Sequence, residues 1–138
     1  MAESRSDLDT HADTCVVGNH ALIIHNYDRP VHICGYDPTG PVAESLDTVT
    51  AALAYDDPLS GQTIILVVNQ ATHVPHLAHN LLSPFQMRLN DVKVNDCPRF
   101  LTDKPSDETH TIVVVGDSID DKLVIPLSIE GIVSVFPT

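Results

Sequence analysis

Ten prolines run through this chain of 138 residues, from Pro30 to Pro137, and they set the first limit on its fold. A proline inside a helix removes a backbone hydrogen bond and clashes with the preceding turn, so long helices are excluded. Between the prolines stand short runs of Val, Ile and Leu, bounded by Gly, Asn and Asp clusters. That punctuation predicts an all-β domain. Strands are expected over 15–17, 21–25, 31–34, 48–54, 63–68, 111–115, 122–126 and 131–135. Tyr36-Asp37-Pro38-Thr39-Gly40-Pro41 and Asp56-Asp57-Pro58-Leu59-Ser60-Gly61 read as hairpin tips.

One helix start is marked. Ser83 suits the N-cap, where its hydroxyl accepts from an orphan N–H, and Pro84 suits the first helical position, where a missing N–H costs nothing. Asn90-Asp91 closes the helix after about two turns. The stretch 95–107, with Pro98 and Pro105, is a loop or an internal boundary.

The chain is 43% hydrophobic, enough for one modest core and too short for two. Its formal net charge is −12, from 19 acids against 7 Lys and Arg. A field of that sign repels phosphate backbones and anionic lipid, which argues against nucleic-acid and membrane-surface partners. Cys15, Cys34 and Cys97 make an odd count without C-x-x-C spacing, which argues against a disulfide framework or zinc ribbon and points to a reducing, intracellular setting. The N-terminal segment MAESRSDLD is polar and acidic, unlike a secretory signal. The longest apolar run, Ile64 to Val68, is far too short to span a bilayer.

Two stretches carry chemistry. The first is Leu8-Asp9-Thr10-His11-Ala12-Asp13-Thr14-Cys15-Val16-Val17, an apolar residue and Asp-Thr-x-Ala-Asp-Thr running into a β-branched strand. It resembles the active-site segment of retroviral and retrotransposon aspartic proteases, with His11 where that family usually has Gly. The second is Val74-Pro75-His76-Leu77-Ala78-His79-Asn80-Leu81-Leu82-Ser83-Pro84-Phe85-Gln86-Met87. It is similar to the Val-Pro-x-Leu-x-x-Asn-Leu-Leu-Ser-x-x-Gln-Leu run of copia-type retrotransposon polyproteins. The resemblance covers most of Leu8 to Asp91, and more weakly the C-terminal sequence.

The resemblance implies a retropepsin-like acid protease fold over 1–94, with a β-rich extension over 95–138 packed on the same domain. It also implies a homodimer that cleaves its own polyprotein in the cytoplasm or in virus-like particles, with no cofactor beyond water. Peptide hydrolysis of this kind needs two carboxylates in one site: like charges a few ångströms apart cannot both ionise cheaply, so one keeps a proton. The ionised partner takes a proton from water while the other donates to the scissile carbonyl. One Asp-Thr-x-Ala segment supplies one carboxylate, and a two-fold partner supplies the other. By resemblance Asp9 is the catalytic group. Thr10 would hydrogen-bond across the dimer, Ala12 would line the pocket and Asp13 would orient the loop or bind substrate backbone. Gly35 and Tyr36 would belong to a flap closing over an extended peptide, bound by strand addition.

Two other readings start from the same residues. With an imidazole at His11 the domain would be an inactive dimerisation or peptide-binding module. Alternatively Asp9, His11 and Asp13 alternate, so in an extended segment they would share a face and hold a divalent cation for hydrolysis. The three histidines His73, His76 and His79 read as loop or surface residues, since Pro75 interrupts the run and no cysteine or acid lies beside it in sequence. The segment 111–135 is expected to supply the strands and dimer edge that the short stretch before Asp9 lacks.

Overall fold

The computed structural model describes residues 4–32, 45–118 and 121–138. It is mostly β-sheet with one short α-helix, as the proline and apolar-run pattern predicts. In chain order the elements are β1 (Arg5–Leu8), β2 (Val16–Val17), β3 (Leu22–Asn26), β4 (Val31–His32), β5 (Ser45–Asp56), β6 (Thr63–His73) and β7 (Asn80–Leu82). There follow α1 (Pro84–Leu89), β8 (Lys93–Asn95), a 3₁₀ turn (Arg99–Leu101), β9 (Thr111–Val115), β10 (Lys122–Pro126), β11 (Ser128–Glu130) and β12 (Val133–Pro137). No helix among the described residues is long and apolar enough to cross a membrane.

A large sheet runs in the order β11-β12-β1-β7-β2-β6-β5-β3, with β4 pairing on β5, and a smaller one in the order β10-β9-β8. The long β5–β6 hairpin turns at the expected tip, where Asp57 donates its N–H to the Gln62 carbonyl at 2.9 Å and Gly61 takes φ +73°. A bulge interrupts the pairing: Val49 faces Ala71 and Ala51 faces Val68, leaving Thr50 opposite both Asn69 and Gln70. Gln70 absorbs the extra residue with φ 53°, a left-handed conformation typical of such bulges.

The expected helix forms where Ser83 and Pro84 place it. Ser83 Oγ accepts from the Gln86 N–H at 3.1 Å, and Asn90 with Asp91 (φ 62°) ends the helix. Four strands stand where none was expected: β1, β7, β8 and β11. Each has only three or four residues, and each finds a partner through pairing distant in sequence or local to an unmarked turn. Cys15, expected in a strand, instead ends the loop before β2.

One core serves both sheets. Leu8, Val17, Leu53, Tyr55 and Leu82 from the first 94 residues pack with Ile112, Ile125 and Phe136 from the remainder. The Tyr55 and Phe136 rings meet edge to face, 6.0 Å between centroids at 78°, a geometry favoured by their quadrupoles. β12 lies antiparallel beside β1, with Ser6 opposite Phe136, so the C-terminal segment walls the strand that precedes Asp9.

Candidate active site

β1, β7 and β2 build the platform. β7 lies between the other two, parallel to β1 and antiparallel to β2, so the link from β1 to β2 must arch over one end of β7. That arch is residues 9–15, the segment singled out by its Asp-Thr-x-Ala pattern. Leu8 is buried and anchors the start, Cys15 is buried and anchors the end, and the polar residues between are half-buried or exposed.

The arch is held by hydrogen bonds at each shoulder. Asp9 donates its N–H to the Leu82 carbonyl at 2.9 Å, and the Ala12 N–H returns to the Asp9 carbonyl at 3.2 Å. The Ser83 hydroxyl donates to the Ala12 carbonyl at 2.6 Å, and the Ser83 N–H reaches Cys15 Sγ at 3.2 Å. Gln86 closes the far shoulder: its Oε1 accepts from the Cys15 N–H at 2.6 Å, while its Nε2 donates to the Asn69 and Gln70 carbonyls at 3.3 and 3.4 Å. Those two carbonyls belong to the bulge, whose broken ladder leaves them free to accept. Ser83-x-x-Gln86 is the spacing of a capping box. Here only half of the box forms, and the glutamine reaches across to the arch instead of back to its own helix.

Asp9 is half-buried, and its Oδ1 accepts from the His11 N–H at 3.1 Å. That backbone N–H, two residues on, restrains the orientation of the Asp9 carboxylate. His11 is exposed, and it is not among the described residues with positive φ, so the backbone there asks for no glycine. Thr10 is exposed beside it. Residues 10–11 turn and 13–14 bend, so the alternation that would have set Asp9, His11 and Asp13 on one face does not exist. Among the described residues no group of three His, Cys, Asp or Glu side chains is placed to hold a metal ion, and the cation reading of those three residues loses its geometric basis. His73, His76 and His79 fall on the end of β6 and the loop after it.

Beside the arch opens a cleft of about 530 Å³, lined by Ala12, Asp13 and Thr14, by Tyr27 and Arg29 after β3, and by Gln70 on the bulge. Tyr27 is braced through its hydroxyl to Thr50 Oγ1 at 2.6 Å, and Thr50 in turn to Asn69 Oδ1 at 3.2 Å. Among the described residues the cleft carries one cation, Arg29, and one carboxylate, Asp13, beside neutral groups, so it accepts a chain with both donors and acceptors. β4 and β5 pair through Val31 with Leu46 and His32 with Ser45, and Val31 lines this cleft. Gly35 and Tyr36, expected in a flap, lie outside the described residues.

Burial pushes the Cys15 thiol up from its ordinary value, against the lowering effect of the Ser83 N–H. A protonated, buried thiol is a packing residue and hydrogen-bond acceptor, and it is no nucleophile. Sequence reading missed Gln86 and Cys15 as supports of the arch. The signal was present in the Ser-x-x-Gln spacing, but its long-range partner was not. Compared with protein-family models, with curated proteins and with solved structures, the chain matches none.

Proposed function

We propose that this chain is one subunit of a homodimeric aspartic endopeptidase of the retropepsin-like kind, with Asp9 from each subunit forming the carboxyl pair. The observation that carries the reading is the arch 9–15, slung over β7 and presenting a backbone-held Asp9 at its start. A carboxylate held this way keeps its place as a second one approaches, which a pair sharing one proton requires. The adjoining cleft supplies a route for extended peptide, and the polyprotein from which such a segment is cut is the natural substrate class.

In this reading the two Asp9 groups share a single proton. The ionised carboxylate takes a proton from water as the water attacks the scissile carbonyl, and the other carboxyl protonates the carbonyl oxygen. Asp13 and Arg29, on the cleft wall, would meet substrate backbone and side chains.

The test is cleavage of an unfolded protein substrate from acidic to neutral pH. Cleavage that a statine-type inhibitor blocks and that Asp9→Asn abolishes, with dimer and fold unchanged, supports the protease. A well-folded dimer that cleaves nothing would favour the binding module. Activity sensitive to a chelator but not to Asp9→Asn would refute the carboxyl pair.

A further inference from the structure

A single subunit offers only one Asp9, so the proposed activity depends on which surface receives the second copy. Registers along β1 and β12 point to it. Asp7 pairs with Val135 in antiparallel sense, so two residues later the chain reaches Asp9 at the level of Val133, the first residue of β12. The turn joining β11 to β12, with Gly131 at φ +69°, therefore stands at the same end of the sheet as Asp9, one strand away. At that turn Ile132 is 97% exposed, more than any other large apolar side chain described. β11 itself forms one edge of the large sheet.

Charge is thin at the same place. Two copies of a chain with net charge −12 repel one another, and association requires a face where that charge is thin. From Leu123 to Thr138 the sequence carries one charged side chain, Glu130. The nearest acid on the adjoining strand, Asp7, is paired with Arg5 at 2.8 Å. The hairpin is thus nearly neutral, and it presents an isoleucine to solvent beside the arch.

We infer that the β11–β12 turn, centred on Ile132, is the surface on which a second copy of this chain docks to bring its own Asp9 alongside the first. This rests on the carboxyl-pair reading above. An exposed isoleucine then becomes the apolar anchor of a two-fold contact, and burying its side chain supplies attraction without opposing charges.

Sedimentation of wild type, Ile132→Asp and the control Leu59→Asp separates the possibilities. Leu59 is 82% exposed at the tip of the β5–β6 hairpin, so the control adds the same charge elsewhere. The expected result is a dimer for wild type and Leu59→Asp. For Ile132→Asp, self-association should weaken by about thirtyfold or more, as for loss of an interface anchor, with parallel loss of cleavage. Hydrogen exchange of the wild type at high and low concentration needs no substitution, and amides 131–133 should slow on association. An Ile132→Asp protein that remains as dimeric as wild type, or protection that arises elsewhere, overturns this surface while leaving the carboxyl pair standing. A wild type that stays monomeric yet cleaves through Asp9 would overturn both.

Discussion

Asn80 and Gly18 are joined across 62 residues by a hydrogen bond of 2.9 Å, from the Gly18 N–H to Asn80 Oδ1. Asn80 is 1% exposed, and its amide also donates to Ser6 Oγ at 3.2 Å, tying β7 to β1 and to the chain after β2. Gly18 has no room for a side chain: a Cβ there would stand 2.5 Å from the Leu77 carbonyl oxygen. Asn80→Ala leaves the Gly18 N–H unpaired in the interior and the Ser6 hydroxyl with Thr138 alone, and should cost about 2–4 kcal/mol. Gly18→Ala should cost at least as much, because the obstacle is backbone. Urea unfolding of both variants measures it, and a loss within about 0.5 kcal/mol for either would contradict the network.

Ser83 serves the helix and the arch with one hydroxyl, accepting from Gln86 N–H and donating to the Ala12 carbonyl. Ser83→Ala removes both and should cost about 1–3 kcal/mol, more than an ordinary cap. Ser83→Gly would retain more of the helix start, since glycine is a tolerable cap, yet would free the arch equally. Under the proposed function the two variants should therefore differ in stability but lose turnover alike. Unchanged turnover in both would separate the arch from catalysis.

His110 is buried at the start of β9 with φ 55°, and its Nε2 lies 2.9 Å from Ser134 Oγ on β12. Burial holds its pKa below the ordinary imidazole value, with Asp96 working the other way; Glu108, close by, is already engaged by Lys93 and Lys122. A folded-state value below the unfolded one means that the unfolded chain binds more protons between the two. The stability contributed by neutral His110 is thus intact above the unfolded imidazole value of about 6.5, and is lost as pH falls through the folded value. His110→Asn, which tolerates positive φ, should flatten that part of the stability profile. Chemical denaturation at stepped pH reads the difference, and an unchanged profile would show that other groups set it.

Cys15 and Cys97 differ in accessibility, the first buried and the second exposed. Iodoacetamide on the native protein should modify Cys97 and spare Cys15, whose thiol burial keeps protonated. Peptide mapping before and after unfolding resolves the two, and Ser83→Gly should raise the native labelling of Cys15 by loosening its cover.

What could be read from the sequence was local. Ser83 and Pro84 specify a helix start within four residues, and Asp57 to Gly61 a turn within five, so both appear where expected. β1 and β7 could not be read that way. Ser6 and Asn80 are polar residues at buried positions, and their burial makes sense only once each is the other's partner, 74 residues apart. The arch showed the same division: its Asp-Thr-x-Ala pattern is visible in sequence, whereas its fastening by Gln86 to Cys15 spans 71 residues and has no local sign.

Ser6 and Thr138 sit 3.0 Å apart through their hydroxyls although 132 residues separate them. The strand that leads into Asp9 therefore meets its outer neighbour β12 only after everything between them has been made. Such remote pairing delays folding, because the loop must close before the contact rewards it. Under the proposed function that delay would hold back self-cleavage, since the strand leading into Asp9 lacks its outer neighbour until β12 has been made.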